Sequence, residues 1–253
     1  MECKSCGETL QGAYCSACGQ KAINERITIR HIFSELFNII TNVDRGFLYT
    51  AKMLFIAPGQ AIRNYLSGQT RRYYHPLRYI IILVAISVAV NLSLGLYDKQ
   101  QSDIQSMVGR PDNQEVIQVQ QQFNEIVKKY LNIIPLLLIP MLSFFSYLFF
   151  RKKGWNYAEH LVLNAYQQGQ LAFIGIPFML IGSLMPEHLA LQVMYFIIPF
   201  GILYATYVYR QFFQVGWLQA FIKYVLIFII SYIILSILTG IAMIIFVMAS
   251  GKM

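Results

Sequence analysis

The chain has 253 residues, 57% of them hydrophobic and only 13% charged, against about 25% charged in soluble domains. That leaves too little polar surface to cover a fold in water, and the apolar residues are gathered in runs rather than scattered. The net charge of +8 sits beside those runs, which points to membrane topology and anionic lipid and leaves nucleic acid unexpected.

Residues 1–22 open MECKSCGETLQGAYCSACGQK, and the chain's four cysteines all lie in this stretch. Two CxxC pairs can place four thiolates around one tetrahedral ion, with Cys3, Cys6, Cys15 and Cys18 as ligands. Gly7 and Gly19 follow the pairs, as a turn needing positive φ requires if backbone N–H groups are to face sulfur. Zn2+ is the expected ion, with rubredoxin-like iron the alternative. Four thiolates leave no open position, so the zinc reads as structural. Two readings of the ribbon stand side by side: a cap on the N-terminus, or a docking knob for a cytoplasmic protein partner. The first twenty residues lack an apolar signal-peptide core, so the N-terminus is expected in the cytoplasm, where thiols stay reduced.

Residues 23–75 read as amphipathic and interfacial helices. Over 28–43, Ile29, Ile32, Phe33, Leu36, Phe37 and Ile40 recur at helical spacing behind a Thr28 N-cap. The apolar piece Phe47–Ala57 is too short to span and reads as interfacial or re-entrant. Pro58 then starts a short helix that Gly68 ends. Arg71, Arg72 and Arg78, mixed with Tyr73, Tyr74 and Tyr79, suit the headgroup layer before a span, either as orientation anchors or as lipid headgroup contacts.

CxxCG, YCxxCGQK, RITIR, VDRGFLYT, APG and YLSGQTRRYYHPL together resemble an uncharacterised bacterial family of zinc-ribbon, multi-pass membrane proteins, common in Bacteroidetes, known as a domain of unknown function. The resemblance covers residues 3–80, with YAEHLV at 157–162. It implies a cytoplasmic ribbon on a helical membrane domain in a bacterial inner membrane, and no activity. Gln69 stands where a basic residue is expected.

Residues 76–253 read as an all-α integral membrane bundle of about five transmembrane helices. Span one is Leu77–Tyr97. The polar loop 98–129 carries a helix from Pro111 that runs into span two, Tyr130–Phe150, which Pro135 and Pro140 bend and Arg151, Lys152 and Lys153 stop. Span three lies between Glu159 and Met185, span four is about Leu189–Tyr209, and span five lies between Lys223 and Lys252. Basic residues before span one and after span two place the 98–129 loop outside and the C-terminus in the periplasm.

On a helix, His160, Asn164 and Gln168 are spaced four apart, with Glu159, Gln167 and Gln170 flanking them. Such a stripe faces other helices or a vestibule. It reads either as interhelical hydrogen bonding or as a substrate or proton path. The expected function is a scaffold or regulator that docks a partner at the ribbon. The alternative is a transporter or channel for a small or lipidic substrate that uses the stripe. An enzyme is not expected: there is no HExxH, no nucleophile with a matching base, no paired carboxylates within the bundle and no phosphate loop. Nothing in the sequence points to an oligomeric state.

Overall fold

The computed structural model describes residues 2–9, 12–20, 46–108, 114–130, 133–185 and 187–249. The amphipathic helix expected over 28–43 lies outside them. Among the described residues the chain is helical throughout the membrane domain, and the cysteine segment carries an isolated antiparallel bridge between Glu2 and Thr9.

Two short helices come first, α1 (Phe47–Ile56) and α2 (Pro58–Leu66). Pro58 occupies the first turn of α2, where its missing N–H removes no helical bond. The pair packs one face against the bundle. Thr50, Ala51 and Leu54 of α1 and Ala61, Ile62 and Tyr65 of α2 are buried. A Cβ on Gly59 would fall 2.4 Å from the Gln211 backbone carbonyl carbon and the Phe212 nitrogen. Only glycine lets α2 press that closely on the helix that carries those residues. Arg63 of α2 donates to the carbonyls of Gln211 and Phe212, placing a cation where a helix end leaves carbonyls unpaired.

Helix α3 (Pro76–Ser93) ends four residues before the expected boundary, because Gly95 turns the backbone with φ +64. The polar stretch is two helices, α4 (Leu96–Val108) and α5 (Gln114–Lys129). They are tied by an ion pair from Lys128 Nζ to Asp98 at 2.9 Å. The carboxylate raises the affinity of Lys128 for its proton. Helix α5 does not run straight into the next span: it ends at Lys129, and α6 (Ile133–Phe150) begins separately. A 3-10 turn, Arg151–Lys153, closes α6, and Gly154 reverses the chain at φ +79.

Helix α7 (Tyr157–Ser183) is the centre of the bundle, followed by α8 (Glu187–Phe213) and α9 (Trp217–Ala249). Helices α3 and α7 run side by side in the same direction: the Tyr79 hydroxyl donates to Gln170 Oε1, and Ser87 reaches Met179. Helix α8 runs against α7, since Tyr209 meets Asn164 while Gly201 lies beside Leu171. Aromatic packing fills the junction at one end of the bundle. Phe150 stacks on Phe213 with centroids 3.9 Å apart, and Trp155 packs on Phe212 at 4.7 Å.

Among the described residues three helices are long and apolar enough to cross a membrane: Pro76–Ser93, Ile133–Lys153 and Trp217–Phe246. Only 11% of the apolar stretch of α9 is buried inside the protein, and Ile229, Ile233, Ile237 and Ile244 are exposed along it. A continuous apolar face of this kind needs lipid or another protein against it. Helix α7 is not one of the three, because its first half carries Glu159, His160, Asn164 and three glutamines.

Candidate metal centre and buried polar seam

The two knuckles have the same local build. Gly7 N donates to Cys3 O and Gly19 N to Cys15 O, both at 2.8 Å, while Cys3 N donates to Glu8 O and Cys15 N to Gln20 O, both at 2.7 Å. Gly7 and Gly19 sit at φ +82 and +69, where a side chain would be strained. These two turns bring the four Sγ atoms within 4.8 Å of one another, with Cys3–Cys18 and Cys6–Cys15 both at 3.6 Å. Four sulfurs each ~2.3 Å from one tetrahedral ion lie ~3.8 Å apart, so the cluster has the size that Zn2+ requires.

The four sulfurs influence one another's ionisation. Burial opposes ionisation of the Cys3 thiol, but backbone N–H groups of Ser5 and Cys6 aimed at its sulfur bring it down to about 6. For Cys6 the Glu8 N–H favours the thiolate, yet the Cys18 sulfur, burial, and the Cys15 and Cys3 sulfurs leave it pushed up to about 12. Four thiolates at this spacing repel one another unless a cation sits among them. The donor set therefore fits a structural zinc: Cys3, Cys6, Cys15 and Cys18 would hold it, and the ion would supply charge compensation and a cross-link between the knuckles.

The second knuckle rests on the turn between α2 and α3. Gln20 Nε2 donates to Thr70 Oγ1 at 3.0 Å, and Gln20 Oε1 accepts from Arg71 N at 2.9 Å. Arg71 Nε donates to Cys18 O at 3.0 Å. Arg71, a residue expected at lipid headgroups, thus has a partner within the chain. Arg72 lies over the Tyr49 ring at 5.7 Å, and Arg78 is half-buried in the first turn of α3.

The polar residues of α7 divide into two roles. Glu159 belongs to the helix start: its Oε2 accepts from Asn156 N at 2.6 Å and its N donates to Asn156 Oδ1 at 2.9 Å, a capping box. His160, Asn164, Gln167 and Gln170 are fully buried, while Gln168 is half-buried. His160 Nδ1 pairs with Ser146 Oγ at 2.7 Å. Asn164 Nδ2 reaches Ser143 Oγ at 3.1 Å and His160 O at 2.9 Å, and Asn164 Oδ1 accepts from the Tyr209 hydroxyl at 2.7 Å. Gln167 Nε2 donates to the Tyr224 hydroxyl at 3.2 Å, and Gln170 Nε2 to Ala51 O at 3.4 Å. The seam thereby stitches α7 to α1, α3, α6, α8 and α9. His160 Nε2 and Gln167 Oε1 are its atoms without a hydrogen-bond partner among the described residues.

The serine and tyrosine partners Ser143, Ser146, Tyr209 and Tyr224 were not legible as a set. They come from three other helices, and no spacing in the sequence links them. The capping box had a signal that could have found it, an Asn with Glu three residues later, whereas spacing along the stripe makes Glu159 a flanking residue.

Residues 44–88 match a family described as Protein of unknown function (DUF3667). That stretch contains α1, α2, the turn that holds Gln20, and most of α3. A search of curated proteins and a search of solved structures each found no match. The matched segment and the apolar helices together support a membrane protein with an uncharacterised domain.

Proposed function

We propose that the chain is a polytopic membrane scaffold or regulator whose structural zinc ribbon docks a cytoplasmic protein partner. The observation that carries this reading is where the polar chemistry goes. The four thiols make one closed site, and the α7 stripe is engaged in bonds between helices. Beyond Gln170 the helix continues LAFIGIPFMLIG, which offers no polar route onward and disfavours the transport alternative.

In this reading α7 and α8 also cross the membrane, making five spans. The polar half of α7 needs no tolerance of lipid because its neighbours enclose it. Helices α3 and α7 run one way and α8 the other, as the first, third and fourth of five crossings require, and Arg63, the Arg151–Lys153 turn and Lys223 gather at one end of the bundle, which would face the cytoplasm of a bacterial inner membrane. The chain has no catalytic role. A photoreactive residue in place of Tyr14, which is 62% exposed on the ribbon, tests the docking role in cells. A discrete protein adduct that disappears when Cys15 is replaced by serine is expected. Uniform background labelling that ignores the cysteines would count against a docked partner.

A further inference from the structure

We propose that residues 69–71 form the docking surface for the chain's own second knuckle, so that metal occupancy of the ribbon holds the junction where α1, α3 and α7 meet. The metal dependence rests on the zinc reading above.

The contact is built from the ligand loop itself. Gln20 is the residue after the second CxxCG, and its main-chain oxygen accepts the Cys15 N–H at 2.7 Å. Folding of the knuckle therefore sets where its side chain points. That side chain is 2% exposed and uses both ends of its amide on the turn, one on Thr70 Oγ1 and one on Arg71 N. Arg71 answers by donating to the carbonyl of the ligand Cys18. Gly19 makes the approach possible, since a Cβ there would lie 2.6 Å from the Arg71 guanidinium. A side-chain amide reading a backbone N–H and a hydroxyl, beside an arginine on a carbonyl, is a directional contact that a disordered ribbon cannot make. A ribbon of about twenty residues has no core to fold on without its ion.

The turn passes the contact inward. Tyr73 accepts from Asn64 Nδ2 of α2 at 3.2 Å. Tyr74 N donates to Thr50 Oγ1 of α1 at 2.7 Å, and Tyr74 O accepts from the Tyr166 hydroxyl of α7 at 2.5 Å. From Cys18 to Tyr166 the path is continuous through hydrogen bonds and four residues of chain. Metal loss then releases the outer end of a segment whose inner end is bonded to the centre of the bundle.

Hydrogen exchange on the full-length protein in detergent, with zinc measured in the same samples, tests this. Chelation is expected to speed exchange of the Arg71 amide by on the order of tenfold or more, as loss of one ordered contact allows, while amides of α9 stay unchanged. Gln20→Ala is expected to keep its zinc and still speed Arg71 exchange, because it removes the clasp and leaves the ligands. Wild-type exchange in zinc-loaded Gln20→Ala overturns the docking surface. Unchanged Arg71 exchange after complete chelation overturns the metal dependence. Purified protein without metal would defeat the zinc reading and with it that dependence, and Gln20→Ala would then still decide whether residues 69–71 hold the ribbon.

Discussion

Among the described glycines Gly59 makes the tightest approach of backbone to backbone between two helices, with a Cβ there meeting Gln211 and Phe212 main-chain atoms at 2.4 Å. Main chain cannot rotate away as a side-chain tip can. Gly59→Ala is therefore expected to push α2 off α8, strain the Gly59 N to Gln211 Oε1 bond of 3.1 Å and lower stability by about 1–3 kcal/mol, the range for overpacking. Thermal unfolding in detergent reads it, and an unchanged melting temperature would show that α2 is not seated as described. At the same scale Glu159 illustrates how a charged residue in an apolar helix need not be a membrane site. Three residues after Asn156 it closes the first turn of α7, and its carboxylate sits at the positive end of the helix dipole.

The seam belongs to the scale of elements. Spacing by four selects His160, Asn164 and Gln168, but seven residues turn an α-helix through about −20° and eight through about 80°. Gln167 therefore stays on the face of His160, and Gln168 rotates away from it, as the burial records. Asn164 is the hub, with partners on α6 and α8. Asn164→Leu removes the 2.7 Å bond from the buried Tyr209 hydroxyl together with the bonds to Ser143 and Ser146 and is expected to cost about 1–3 kcal/mol. His160→Leu removes one bond, to Ser146, and is expected to cost about 0.6–2 kcal/mol while the protein stays folded. Denaturation of the two variants in one detergent orders them. The opposite ranking would move the hub to His160 and revive a functional role for that side chain.

At the scale of the molecule, direction of the helices and distribution of charge make a single claim about topology. The ends of α2, α6 and α8 and the starts of α7 and α9 meet through Arg63, Lys223 and the Phe150, Trp155 and Phe212 rings. Cations dominate that end, and α4 and α5 lie at the other. Single cysteines at Gln105 and Lys152, in a chain lacking the native four, are expected to separate: an impermeant thiol reagent on intact cells labels the first and spares the second. The reverse pattern would invert the orientation. A C-terminal tag accessible from outside is expected for five crossings, and a cytoplasmic tag would remove one.

The cluster of Cys3, Cys6, Cys15 and Cys18, the membrane character and the helix start at Pro58 were legible along the chain, because each depends on neighbours within a few residues: a CxxCG turn, an apolar run, a proline without an N–H. Chain order alone could also mark α7 as a helix whose polar face needs partners. Which partners it has was decided only by the tertiary structure. Tyr209 meets Asn164 across 45 positions and Gln20 meets Thr70 across 50, and a hydrogen bond depends on distance and angle in space, on which sequence separation has no bearing. The same reason gave Arg71, expected at lipid headgroups, a partner on the ribbon and packed one face of α1 and α2 onto the long helices. In both cases the local pattern was right about polarity, and the packing of distant helices determined what that polarity touches.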